Sequence, residues 1–273
     1  MRFARYIAAP DKGQLSFAER HYATVDGDAW AATPKLSLFS GGVNRTAIAE
    51  TVAEFQRREG CEITTTYLGC GTLVAMMQAG EMPDAYFACD VSFVDQVSSK
   101  FGQPVTLSAT DMVMLVKQGN PKEIQSLEDL GRDGIRVGLA DEQLSALGRL
   151  SVDLLKSAGV YDAVVKNRRA TTPTADLLVA QLTTVDKLDA AIVYRANCNK
   201  IGNSAEIVDI DVSTAKAFQP LAIQVDTKYP QLSARLMQAM VSSRSRARFE
   251  ESGFDWEYLG TKGDAVESRA DTQ

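Results

Sequence analysis

From Pro34 onward the chain alternates short β-prone runs with amphipathic helical runs, and this alternation constrains the fold more than any other feature. "KLSLFS" (35–40) reads as a strand closed by the turn Gly41-Gly42. "NRTAIAETVAEFQRREG" follows as a helix with Ile48, Val52 and Phe55 on one face and Gly60 at its end. "CEITTTYLG" and "TLVAMMQAG" repeat the strand–helix pair, as do "DAYFACD" (84–90) and "VSFVDQVSSKFG". "DMVMLVKQGNP" (111–121) is a longer strand. A second series then begins with "SLEDLG", a short helix capped by Ser126, and the strand "IRVGLA" (135–140). It continues through the helix "SALGRLSVDLLKSAGV", a loop into a helix at "ATTPTADLLVAQLTT", and the buried strand "LDAAIVYRA" (188–196). Strands at "EIVDID" and "QPLAIQVD" and helices at "PQLSARLMQAMVSS" and "SRARFEESGF" close the pattern.

Strands alternating with helices imply an α/β architecture, and two successive series imply two lobes. The expected division is lobe one at 34–110 plus 218–258 and lobe two at 111–217, with crossings at 111–117 and 219–225. Residues 1–33 are an N-terminal helical segment. "RFARYIAAPDKGQLSFAERHY" (2–22) aligns without gaps on "SARLMQAMVSSRSRARFEESGF" (233–254), pairing Phe17 with Phe249 and Glu19 with Glu251. The segment therefore reads as a remnant of a preceding, similar domain. Residues 259–273 form a polar tail.

Composition removes several classes of function. The formal net charge of -6 argues against a nucleic-acid or anionic-membrane partner, because both select basic surfaces. No apolar run approaches the roughly 20 residues of a membrane span. The start of the chain has no apolar h-region, so an exported protein would have to be cut from a longer precursor. Cys61, Cys70, Cys89 and Cys198 form no C-x-x-C pair, which speaks against zinc, and their spacing selects no disulfide. His21 is the only histidine, so Ser-His-Asp and His-metal chemistry lack material. No catalytic residue, metal ligand or cofactor is expected. Asp84 and Asp90 offer a carboxylate pair, but Asp90 reads better as the cap of the next helix.

Three turns share one design of strand, small residues and helix: "FSGGVNRTAI" (39–48), "YLGCGTLVAM" (67–76) and "ADEQLSALGRL" (140–150). A fourth, "TTPTADLL" (171–178), enters its helix through Thr and Pro. Each alone is an ordinary helix start. Together they suggest oxyanion binding by backbone N–H groups, which small residues let a ligand approach. Hydroxyls of Ser40, Thr72, Ser145 and Thr174 are candidate additional donors. No lysine follows the glycines as in a phosphate loop.

From about Lys35 to Phe254 the chain resembles the molybdate-binding proteins of bacterial molybdate ABC transporters. The landmarks run in family order: "FQRREG", "GCGTLVAMMQAG", "PDAYFACD", "VKQGNP", "SLEDL", "VGLA", "IVYR" and "ARFEESGF". The resemblance implies a type II periplasmic-binding-protein fold, two α/β lobes with a ligand cleft between them. It also implies a monomeric periplasmic protein that passes a small oxyanion to a membrane permease and its ATPase. Molybdate is the first candidate, with tungstate or sulfate as alternatives. Carried over by position, the ligand residues would be Ser40, Gly41 and Gly42, then Gly69, Cys70 and Gly71. Lobe two would supply Ser145, Ala146, Ala175, Asp176 and Tyr194. The departures are Gly42 and Cys70 in places where serine is usual, and Arg195 after the tyrosine. Arg45 adds a candidate charged donor, set against its reading as a solvated first-turn arginine. Two other readings stay open: an oxyanion-sensing domain of a larger protein, and an enzyme with Cys70 as nucleophile.

Overall fold

The computed structural model describes residues 33–184 and 187–259. The N-terminal repeat and all but the first residue of the expected polar tail lie outside the described residues.

β1 (Lys35–Gly41) pairs in parallel with β2 (Glu62–Leu68) and β3 (Ala85–Phe87). Between them run α1 (Arg45–Glu59), α2 (Cys70–Gln78) and, after β3, the short α3 (Val91–Asp95). Ile48, Val52 and Phe55 of α1 are buried, as their helical spacing predicts. The helix expected over 91–102 stops at Asp95 and gives way to a turn of 3-10 helix at Ser98–Lys100.

β4 (Val105–Lys117) begins six residues before the predicted strand at 111 and ends four before its predicted limit at 121. Its first half, from Val105 to Asp111, pairs antiparallel with β9 (Lys216–Ile223). Its second half, from Met112, pairs with β7 (Ala190–Tyr194) and β8 (Ala205–Asp209). One strand thus belongs to two sheets, and the partner changes between Asp111 and Met112. β7 is parallel to β5 (Val137–Ala140), and β5 is parallel to β6 (Arg168–Thr172). The main strand order is β2-β1-β3-β9-β4-β7-β5-β6, with β8 and β10 each paired to β4 beside this path.

Sequence reading missed two second-half elements. After α4 (Ala146–Ser157), residues Tyr161–Asn167 form α5, and 168–172, read as part of a loop, form edge strand β6. Ser126 does not cap its short helix as an acceptor. Its N–H and hydroxyl instead donate to the Asp129 carboxylate, at 3.0 and 3.4 Å. α6 (Ala175–Thr184) returns the chain to β7. α7 (Pro230–Met240) and α8 (Ser243–Glu251) pack on the first half, beside the short β10 (Asp255–Trp256). There Phe249 meets Phe254 and Trp256 edge-on, each at 5.5 Å between centroids.

Buried polar groups mark the place where β4 changes sheets. Ser108 Oγ donates to Gln219 Oε1 at 2.8 Å, and Gln219 Nε2 donates to the carbonyls of Cys89 and Ala217. Thr110 Oγ1 accepts the Ala196 N–H at 3.2 Å, just beyond β7. Most buried polar side chains are partnered, and these are.

Candidate functional site

Each predicted turn lies at the carboxyl end of a parallel strand, where helix N-termini leave N–H groups without intrahelical acceptors. After β1, Gly41 and Gly42 lead through a single 3-10 turn into α1. Asn44 holds this turn to the end of β3, donating to the carbonyls of Phe87 and Ala88 at 3.3 and 3.2 Å. Its Oδ1 is buried without a partner.

After β2, Cys70 is the first residue of α2 and fully buried. Its sulfur lies 2.9 Å from that of Cys89, and the Cys89 N–H donates to it at 3.1 Å. Burial alone would raise the Cys70 thiol pKa, but its hydrogen bonds with Cys89 outweigh that and the net shift is downward. The Cys89 thiol is pushed well up, by Cys70 and then by burial. Cys89 therefore does more than fill a small core space. Gly41 must stay without a side chain here, since a Cβ would sit 2.0 Å from Cys89 Sγ and 3.1 Å from Cys70 Sγ.

The second turn touches the other half of the molecule. Gly71 N–H donates to the Leu144 carbonyl at 3.1 Å. A Cβ on Gly69 would lie 2.2 Å from Leu144 O and 2.6 Å from Pro173 O. One on Gly71 would lie 1.7 Å from Gln143 O. Glycine at both positions lets the two halves meet backbone to backbone. Across this seam, Asp141 folds the 141–145 turn by accepting the N–H groups of Gln143 and Leu144 at 2.9 and 3.0 Å.

The fourth turn faces the first. The Thr174 methyl and Asp176 Oδ2 lie 4.0 and 3.7 Å from where a Gly42 Cβ would stand. Asp176 Oδ1 accepts from Asn197 Nδ2 at 2.6 Å. Burial raises the Asp176 pKa, while Asn197 and the Arg45 charge pull it the other way. Arg45 is exposed as expected, but its guanidinium lies over the Tyr67 ring at 4.4 Å.

Tyr194 ends β7, where it pairs with Met112 at the change of sheets. It is 2% exposed and its hydroxyl has no partner. Burial drives its pKa well up, and Cys89, Cys70 and Asp90 add to the rise.

Several expected roles change on contact with the geometry. The Ser40 hydroxyl is fully buried and donates to its neighbour's carbonyl at Gly41, at 3.2 Å. The Ser145 N–H is spent on Asp141 O at 3.0 Å, and the Gly71 N–H on Leu144. Asp176 brings a carboxylate toward the first turn. Ala146 and Ala175 are the buried first residues of α4 and α6. Asp84 and Asp90 work separately: Asp84 accepts from Ser37 and Thr227, and Asp90 caps α3 through the Ser92 N–H. Among the described residues no group of three or more Cys, His, Asp or Glu side chains is placed to hold a metal ion.

Sequence reading missed Tyr86, Asn44 and Gln219. Tyr86 is fully buried on β3, with its hydroxyl beside the Cys70 sulfur. The signal was a tyrosine within the buried run "DAYFACD", since a buried phenol normally finds a hydrogen bond.

Two α/β halves joined through a shared strand, with helix N-termini of both meeting at the seam between them, define the two-lobed type II periplasmic-binding fold. The chain belongs to the family of bacterial extracellular solute-binding proteins, which it matches over residues 36–255. This is a family of binding proteins rather than enzymes. The molybdate-binding protein ModA of Mycobacterium tuberculosis is 21% identical over 230 residues, covering 80% of this chain and 83% of that protein. The periplasmic molybdate-binding protein of Azotobacter vinelandii superposes with a TM-score of 0.68 at 15% identity, covering 80% of this chain and 98% of the other. The sulfate-binding protein SubI of M. tuberculosis superposes with a TM-score of 0.66 at 14% identity, over 81% and 86% of the two chains. No helix among the described residues is long and apolar enough to cross a membrane.

Proposed function

We propose that this protein captures a small tetrahedral oxyanion between its lobes, outside the cytoplasm, and passes it to the permease and ATPase of an ABC importer. Molybdate is the first candidate, with tungstate and sulfate next. The lobes are residues 34–110 with 218–258, and residues 111–217, and they close by bending where β4 changes sheets. One observation carries the reading. The Tyr194 hydroxyl is buried and unpartnered at the end of β7, opposite Met112 where β4 changes sheets. A buried donor without a protein acceptor is costly unless a ligand supplies the acceptor. The Gly41-Gly42, Gly69–Gly71, Ala146 and Ala175 turns surround this place with helix N-termini. Such donors bind an anion with no counter-cation. Names of relatives lend support, since molybdate and sulfate binders are both among them.

The test is a thermal-shift panel with molybdate, tungstate, sulfate, phosphate and chromate, followed by calorimetry on any hit. A ligand that binds only the folded state raises the melting temperature. One oxyanion should do so well below the others in concentration. No shift with any of them at millimolar levels would overturn the reading.

A further inference from the structure

The four cysteines had no evident pairing in the sequence, and the fold brings two of them together. Cys70 and Cys89 are 19 residues apart in the chain, with their sulfurs 2.9 Å apart. That is closer than two unbonded sulfur atoms rest in van der Waals contact. Both side chains are buried, and both backbones are held in place. The Cys89 carbonyl accepts from Gln219 at 3.1 Å and its N–H donates to Cys70 Sγ. Gly41 leaves the space the sulfurs occupy. Two thiols do not make a metal site, and no third ligating group of the required kind stands with them among the described residues. The family is extracellular, and disulfides form and persist in that environment.

We propose that Cys70 and Cys89 are a covalent modification site in the wall of the ligand cleft, where they close to a disulfide joining the second first-lobe turn to the end of β3. Two S–H bonds break and one S–S bond forms. The two protons and two electrons pass to a disulfide oxidant, such as glutathione disulfide or an oxidised dithiol protein, which leaves as two thiols. Cys70 is the attacking sulfur, because it opens a helix and accepts an N–H. The reaction takes place before the lobes close, since the 69–71 turn lies on the seam with Leu144.

The cross-link also alters the donors available to a ligand, and this part rests on the oxyanion reading above. In the dithiol, the Cys89 N–H is taken up by Cys70 Sγ. A disulfide sulfur is a poorer acceptor than a thiol or thiolate sulfur, so oxidation weakens the hold on that N–H and leaves it more available to an anion. The oxidised protein is the stronger oxyanion binder.

The experiment incubates the whole protein with mixtures of reduced and oxidised glutathione, quenches in acid, alkylates under denaturing conditions and reads the mass. Two of the four cysteines should escape alkylation, with the mass lower by two hydrogens and one peptide linking Cys70 to Cys89. Cys70→Ser and Cys89→Ser should each leave every remaining thiol alkylated. Reduction of the oxidised protein should lower its melting temperature by about 5–10 °C, as expected for a loop of this length. Full alkylation of the wild type, or a link through Cys61 or Cys198, overturns the cross-link. The oxyanion panel is run on both redox forms. A bound oxyanion without the link refutes this proposal and leaves the function standing. The link without any bound oxyanion does the reverse. Equal oxyanion affinity in the two forms removes the claim about the Cys89 N–H.

Discussion

Replacing Gly71 by alanine should strengthen the lobe that carries it while weakening ligand capture. The new Cβ would lie 1.7 Å from Gln143 O, 2.8 Å from Gln143 C and 2.9 Å from Leu144 Cα. All three are backbone atoms, so no side chain can swing aside. Restoring ordinary contact at about 3.4 Å requires the seam to open by about 1.7 Å. The Gly71 N–H to Leu144 O bond, now 3.1 Å, would stretch to about 4.8 Å and cease to exist. One such bond is worth about 1 kcal/mol, so oxyanion affinity should fall at least about fivefold. Misplaced donors would deepen the loss. Locally the substitution is favourable. Gly71 is the second residue of α2, where alanine gains up to about 1 kcal/mol over glycine. The ligand-free melting temperature should therefore hold or rise, while the oxyanion-induced shift shrinks. Thermal shift and calorimetry with the panel's best oxyanion measure both. Wild-type affinity in Gly71→Ala would refute the claim that closure brings these backbones together. A sharp drop in ligand-free stability would show that the glycine serves folding instead.

Three further outcomes follow from the same geometry. Tyr194→Phe should leave the free protein as stable or slightly more so, because its hydroxyl is buried without a partner, while calorimetry should show oxyanion affinity lower by about 1 kcal/mol. Asp176 has a raised pKa, so acidification neutralises it and should tighten a dianion's dissociation constant. Asp176→Asn should bind more tightly at pH 8 and flatten that dependence in titrations run from pH 8 down toward 3.8. Asp189 is held at about 2, against 3.8 unfolded, by Arg136 and Lys117 acting against its burial. This lowered pKa gives stability that is present above 3.8 and lost as pH falls through about 2. It amounts to roughly 2 kcal/mol at neutral pH. Urea unfolding should show Asp189→Asn costing about that at pH 7 and progressively less toward pH 2, and a pH-independent cost would contradict the linkage.

The alternation of strands and helices was legible because each main helix buries one periodic face and each central strand is an apolar run. Places where burial is achieved by other means were hidden. The first half of β4 reads "VTLSAT", too polar for a central strand. Its Ser108 and Thr110 are buried only because Gln219 and the Ala196 N–H satisfy them from distant segments. The edge strand β6 is mostly exposed, so "RRATT" carries no apolar pattern. The turns of the cleft were visible as small residues after strands. Their division of labour was not, because it depends on contacts between lobes. Nothing local distinguishes the Gly71 N–H, taken by Leu144, from the N–H groups left at neighbouring helix starts. Nor does the spacing of Cys70 and Cys89 reveal two sulfurs meeting behind Gly41.

The position of β9 has a bearing on how the molecule is made. It lies between β3 and β4 in the sheet, yet it is synthesised about 100 residues after β4 and about 130 after β3. While the second lobe emerges, β3 and the first half of β4 wait with the edges that β9 will later occupy. The first lobe cannot complete its sheet until the chain has left the second lobe and returned. A growing chain held in this way keeps its first sheet incomplete until β9 has emerged.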